Sequence, residues 1–291
     1  WNRFHEEYRS ITKLDPLTVG DEYITSLDSA TGTTTAGGSY AESSLISYLA
    51  RINYSYADKY LVQLTGRRDG TSRLPEKTRW GNFFSASLGW RISGEGFFDV
   101  PAIDDLKIRA NYGTLGNSSI GFWDYQATIN TAPRATVGAA DDILVGMTQS
   151  RLTNDDLRWE RKTTANVGVD LTAFRSRFTV SADYFYSRSD DLLVYLPILA
   201  TSGNEGGNPA VNAGSLQNSG FELNLGWNDS IGDFSYYANL NLSHVRNKVL
   251  DLGYGQTVYY ESLSISEIGQ PLGMWYLYKM NGIFQNEEQI R

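Results

Sequence analysis

Cysteine is absent from all 291 residues, which removes disulfides, thiolate metal sites and a cysteine nucleophile together and is compatible with an oxidising envelope compartment. Histidine is almost as scarce. His5 and His244 lie far apart in the sequence, so a histidine-rich zinc site or a His-activated nucleophile has little to build on and an enzyme is not expected. Long apolar runs are missing too: the longest, Leu192 to Ala200, contains Pro197 and falls far short of the ~20 residues of a membrane-spanning helix. Cations are in deficit, with 25 Lys and Arg against 33 Asp and Glu and a formal charge of −8. That is the wrong sign for nucleic acid, whose binding is driven by counterion release to clustered Lys and Arg. Proline numbers only 7 and no Pro- or Ser-rich linker interrupts the chain, so a single architecture is expected throughout. Gly94-Glu95-Gly96 and Gly253-Tyr254-Gly255 are half of a dinucleotide fingerprint, open no helix and read as turns.

Aromatic residues are plentiful, with 19 Tyr, 12 Phe and 7 Trp, although the mean hydropathy is −0.36. Strands with one apolar and one polar face reconcile the two. Side chains alternate faces along a strand. Phe178, Val180, Ala182, Tyr184 and Tyr186 alternate with Thr179, Ser181, Asp183 and Ser187, interrupted by Phe185. Phe221, Leu223, Leu225 and Trp227 do the same against Glu222 and Asn224, and Phe234 to Leu242 against Ser235 to Ser243. Thr163 to Leu171 carries its charges, Lys162 and Asp170, only on the second face. Further faces are read at Ile46 to Tyr54, Tyr60 to Leu64, Phe84 to Ile92 and Leu106 to Tyr112, and a ninth strand is expected from Leu272 to Tyr278.

The connections between these strands alternate in length. Short ones fall near Ala57 to Lys59, Ser93 to Asp105, Thr172 to Arg177 and Asn228 to Asp233. Long ones run about Asp69 to Asn82, Thr114 to Leu157, Arg188 to Ser219 and Arg246 to Gln270. All long loops at one end, with aromatics such as Tyr54, Tyr60, Trp90, Tyr112 and Trp227 flanking apolar strand centres, is the pattern of an antiparallel transmembrane β-barrel with short periplasmic turns and long extracellular loops. The competing reading is a secreted, soluble, β-rich carbohydrate-binding module, against which the loop asymmetry argues.

Several segments in order carry a more specific resemblance. They are Ser47-Tyr48-Leu49-Ala50-Arg51-Ile52-Asn53-Tyr54, Arg68-Asp69-Gly70-Thr71-Ser72-Arg73, Leu88-Gly89-Trp90-Arg91-Ile92, and Leu106-Lys107-Ile108-Arg109-Ala110-Asn111-Tyr112-Gly113 with Gly116-Asn117. Leu157-Arg158-Trp159-Glu160, Gly220-Phe221-Glu222-Leu223 and Gly282-Ile283-Phe284-Gln285-Asn286 complete the series. The chain thereby resembles the SusC/RagA-type TonB-linked outer-membrane proteins of Bacteroidetes. The resemblance implies about nine strands of a barrel of about 22. Residues 1–291 would be part of the receptor's β-barrel domain, with the plug domain and the closing C-terminal strands outside this segment. It further implies import of an oligosaccharide or peptide across the Gram-negative outer membrane, energised by the TonB complex and assisted by a SusD-like lipoprotein, with no cofactor. Within the family pattern Arg68, Asp69, Gly70 and Arg73 resemble parts of a fixed loop structure.

Candidate ligand contacts are the loop aromatics Phe122, Trp123, Tyr125, Tyr254, Tyr259 and Tyr260, whose rings would stack on sugar rings or peptide side chains. Gly203 to Gly207, followed by Asn208 and Pro209, reads as a mobile loop tip. Adjacent carboxylates at Asp104-Asp105, Asp141-Asp142, Asp155-Asp156 and Asp190-Asp191 read as solvated turn residues, with calcium in an outer loop as the sharper alternative. No metal ligands are assigned. Arg67, Arg68, Arg73, Lys77 and Arg79 make the first long loop basic, a solvated face or a contact for anionic lipopolysaccharide or an acidic substrate.

The face assignment predicts that Val167→Lys or Leu240→Lys in the full-length protein weakens insertion by about 2–4 kcal/mol, while Asn166→Lys is milder. The readout is the folded barrel recovered from outer membranes, and equal tolerance at both kinds of position would contradict it.

Overall fold

The computed structural model describes residues 1–291 except 16, 20, 21, 25, 132, 138–141, 200, 202–206, 281 and 283–291. Nine strands form one antiparallel sheet: β1 Asn2–Lys13, β2 Thr34–Tyr56, β3 Tyr60–Thr71, β4 Trp80–Arg91, β5 Ile103–Asn117, β6 Glu160–Ala173, β7 Phe178–Asp190, β8 Ser215–Ile231 and β9 Phe234–Asp251. Their order in the sheet is their order in the chain, so successive connections alternate between its two ends. At one end they span 57–59, 92–102, 174–177 and 232–233; at the other, 14–33, 72–79, 118–159 and 191–214. Tyr56 to Lys59 is closed by the Lys59 amide donating to the Tyr56 carbonyl at 3.0 Å, with positive φ at both Ala57 and Asp58. That conformation matches the natural twist of a hairpin.

The registers align the apolar faces into continuous rows. One runs Tyr54–Val62–Leu88–Ala110–Val167–Tyr184–Phe221 across seven strands, and another Leu106–Leu171–Val180–Leu225–Leu240 across five. Among the described residues nothing covers this face: Leu88 and Val167 are each 56% exposed and Leu240 is 51% exposed. The fully buried side chains lie elsewhere. Leu74 and Leu157, both 0% exposed, join Ile120 and Ala210 in a small core under the long connections, with Tyr125, Trp159 and Leu193 packed against it. A soluble sandwich buries its apolar sheet face against a second sheet; here the face points away from the chain.

Two expectations are corrected. Leu272 to Tyr278 is not a strand of the sheet. Only Met274–Trp275 is extended, in a small sheet with Val258–Glu261 and Ser264–Glu267, after turns at Gly269 and Gly273 that carry positive φ. The ninth strand is β1, which alternation missed because Glu6 interrupts the face of Phe4 and Tyr8 while Arg3, Glu7 and Arg9 occupy the face of Ile11. It pairs with residues 34–45 of β2, the part of that 23-residue strand beyond the apolar rows. The first long loop is also shorter than expected, since Asp69 to Thr71 and Trp80 to Asn82 are strand. Most of the segment Gly203 to Gly207 lies outside the described residues.

Leu74→Ala or Leu157→Ala should destabilise the loop core by about 2–5 kcal/mol. In the folded full-length protein this is expected as faster proteolysis within 118–159 and 191–214, with the strands still protected; unchanged cleavage would refute the core assignment.

Candidate functional site

The polar face of the sheet carries an ionic network. Arg109 on β5 donates from Nε to Asp170 Oδ2 at 2.7 Å and from Nη2 to Asp170 Oδ1 and Asp183 Oδ2, both at 2.9 Å. Lys107 Nζ meets Asp170 at 3.1 Å, and the Ser181 hydroxyl donates to Asp170 at 3.0 Å. Arg109 and Asp183 sit in one row on either side of Gly168. A Cβ at Gly168 would lie 2.4 Å from the Asp183 carboxylate and 2.9 Å from the Arg109 guanidinium, so the missing side chain is what lets the pair meet across β6. Charges this well paired and hydrogen-bonded can line a wet wall at low cost.

The long connections assemble a second polar surface over the small core. Arg73 donates from Nη1 to the Ile120 carbonyl at 2.9 Å and lays its guanidinium 4.5 Å from the Phe122 ring centroid, a cation–π contact. Trp159 Nε1 donates to the Arg79 carbonyl at 2.9 Å, and Lys77 bonds Asp156 at 2.8 Å. Arg158 grips Asp191 with Nε at 3.2 Å and Nη2 at 2.6 Å. Asn212 closes this unit, accepting from the Arg158 amide and donating to the Arg158 carbonyl, each at 2.7 Å. Its Nδ2 also donates to the Asp191 carbonyl at 2.9 Å. Beside it opens a polar cleft of about 640 Å³ lined by Arg188, Asp190, Asp191, Asn212, Asp251 and Tyr254. The hydrogen bond from Lys77 holds the Asp156 carboxyl below its usual range, and Asp156 raises Lys77 in return. Asp191 likewise raises Arg158.

The six candidate aromatics separate into three settings. Phe122 lies under Arg73 and Tyr125 packs against the loop core, so both carry structure. Trp123, with a φ of 62°, is exposed beside them. Tyr254 is exposed and forms the wall of the polar cleft. Half-buried Tyr259 and exposed Tyr260 lie on Val258–Glu261, where Tyr260 meets Tyr276 edge-on at 5.5 Å. The sequence reading missed Arg158, Asp191 and Asn212 as a unit. Their only local signal was the segment Leu157 to Glu160 and the Asp190-Asp191 pair.

Asp104, Asp105, Asp156, Asp190 and Asp191 are each engaged by a cation or a backbone amide. Asp105 meets Arg91 at 3.3 Å and accepts from Ser93 at 2.6 Å, while Asp104 accepts from the Ser176 amide at 2.8 Å. Asp190 takes Arg188 at 2.8 Å. Asp141-Asp142 lies outside the described side chains. Among the described residues no three His, Cys, Asp or Glu converge. In the basic segment, Arg67 pairs with buried Asp69 at 2.7 Å and Arg68 lies 5.1 Å from the Trp80 ring centroid.

A profile of the family described as TonB dependent receptor-like, beta-barrel, matches residues 1–274. Over 279 residues the chain is 34% identical to TonB-dependent receptor P39 of Formosa agariphila, covering 94% of this chain and 26% of that protein. Over 216 residues it is 32% identical to TonB-dependent receptor SusC of Bacteroides thetaiotaomicron, covering 72% and 21%. The chain thus spans about a quarter of the length of the curated relatives it matches. Among solved structures, the RagAB peptide transporter shares the fold at a TM-score of 0.79 and 24% identity, covering 94% of this chain and 30% of that one.

The Lys77–Asp156 contact bridges 72–79 and 118–159, and its pH limits follow from the two shifts. Because Asp156 is depressed, its contribution is full above the ordinary carboxylate range of ~3.9 and is lost as the pH falls through its lower folded value. Because Lys77 is raised, its contribution is full below ~10.4 and is lost as the pH rises through its higher folded value. Asp156→Asn should therefore lower the Lys77 pKa and raise its acylation rate by an amine-reactive ester at pH 8, read by peptide mass spectrometry. An unchanged rate would contradict the bridge.

Proposed function

Since the chain belongs to the TonB-dependent receptor-like β-barrel family, we propose that it forms part of the wall of an outer-membrane importer whose work is binding and translocation rather than catalysis. The observation that carries this reading is the uncovered apolar band, continuous across the sheet registers and lying between connections of 2 to 11 residues at one end and of 8 to 42 at the other. Lipid is the solvent that such a band fits, and only a sheet that hydrogen-bonds within itself can stand there. The paired Lys107, Arg109, Asp170 and Asp183 then line the water-filled side.

The cargo is a nutrient that an oligomer-binding mouth can grasp, an oligosaccharide or a peptide. Exposed Trp123 and Tyr254 offer aromatic faces, while Arg158, Asp191 and Asn212 offer fixed donors and acceptors at the adjoining ledge. In the full-length receptor, movement is energised through TonB and capture is shared with a SusD-like lipoprotein. The TonB-dependent receptor SusC and the RagAB peptide transporter, both similar to this chain, support the TonB-linked transport part of that reading.

The test uses the full-length protein in its own membrane. Uptake of labelled oligosaccharides and oligopeptides should depend on this receptor and on TonB. Trp123→Ala with Tyr254→Ala should weaken binding of the accepted class by about tenfold, the scale of one lost aromatic stack, with barrel abundance unchanged. Uptake that persists without TonB, or absence of the folded protein from the outer membrane, would overturn the reading.

A further inference from the structure

The lipid-facing side of β2 to β5 is not uniform. Ala50, Gly66 and Phe84 form one row, and Ile52, Leu64, Ala86 and Tyr112 form the next. The small side chains leave an outward trough of about 720 Å³, walled by Phe84 and Tyr112 and closed toward the long-connection end by Asn82, Thr114 and Arg161. Arg161 is exposed. Its cross-strand neighbour Asp190 is taken by Arg188, and Arg161 has no ion-pair partner among the described residues.

Arg68 adds a second cation, cross-strand from Asn82. It is held against the Trp80 ring, on which Tyr48 also stacks at 6.1 Å between centroids. Trp80 can lie this way because its partner is Gly70, where a Cβ would fall 2.8 Å from the ring. Arg68 likewise has no carboxylate partner among the described residues. At the other end Lys59 is paired with Glu95 and Arg177 with Asp229, each at 3.2 Å. An apolar trough ending at the uncompensated Arg161 guanidinium, with Arg68 as a further cation at the same end of the sheet, complements an acyl chain ending at a phosphate, which Arg binds in a fork geometry.

We propose that this trough holds an acyl chain of a phosphorylated lipid from the leaflet on the long-connection side, with its phosphate on Arg161 and with Arg68 as a further cation for the headgroup. The proposal rests on the membrane-barrel reading above. Its test is therefore read only on protein whose heat-modifiable gel mobility reports a folded barrel, so that failure to insert counts against that reading and not against this site. Native mass spectrometry of the full-length receptor, extracted from outer membranes in non-ionic detergent, should show a retained phosphorylated lipid. Arg68→Gln with Arg161→Gln should reduce retention about tenfold, the scale of one lost charge-assisted contact. Ala86→Phe, which fills the trough and leaves both cations, should reduce it as well. Add-back with a diphosphorylated lipid should restore binding, whereas the dephosphorylated lipid and inorganic phosphate alone should not.

Equal retention by the wild type and both variants would overturn the site. So would no preference for the phosphorylated lipid, or displacement by inorganic phosphate alone. If the double variant does not insert, Arg161→Gln and Ala86→Phe decide the question.

Discussion

Backbone hydrogen bonding in hydrocarbon is the constraint on which everything else in this sheet depends. A peptide group in lipid has no water to turn to, so each strand in the band must be satisfied by its neighbours. From β2 to β9 the ladders run strand to strand, and their register decides what meets lipid. A slip of one residue in any ladder would exchange the two faces. It would turn Arg109 or Asp170 outward and Val167 inward. The sheet's edges are the places where this rule is unmet among the described residues: β1 pairs only with 34–45 of β2, leaving Ile46 to Tyr56 open on that side. A barrel closes such edges with further strands, in keeping with a chain that spans about a quarter of its relatives' length.

The same alternation separates the two kinds of work. Outside, small and aromatic side chains shape the uncovered apolar face. Inside, the Lys107–Arg109–Asp170–Asp183 network keeps charge paired along a wet wall, with Gly168 as the space through which Arg109 reaches Asp183. The long connections can vary because the sheet does not depend on them for its ladders. They are nonetheless ordered locally, by the core around Leu74 and Leu157 and by Arg73, Trp159 and Asn212, whose bonds tie separate connections together.

Much of this was legible along the chain, and the exceptions have physical causes. Eight strands announced themselves because lipid on one side and water on the other impose a period of two. β1 did not, because charged residues stand on both of its faces, and Leu272 to Tyr278 imitated a strand by composition although Gly269 and Gly273 turn the chain there. Among the six candidate aromatics, Trp123, Tyr254 and Tyr260 are exposed, but Phe122 and Tyr125 serve packing. An aromatic in a loop has the same sequence signature whether its ring meets a ligand or a neighbouring Arg.

By itself the sequence determined the class of fold, the two faces of most strands and the end of the sheet that carries the two longest connections between its strands, 118–159 and 191–214, because these are local consequences of alternation and turn chemistry. Tertiary structure alone decided which residues share a site. Arg158 finds Asp191 33 positions away and Asn212 54 positions away, and Arg109 finds Asp183 74 positions away through a glycine gap. Arg161 comes to the end of a trough made by β2 to β5. Such meetings depend on register and on the path of each connection, both of which follow from pairings between distant strands.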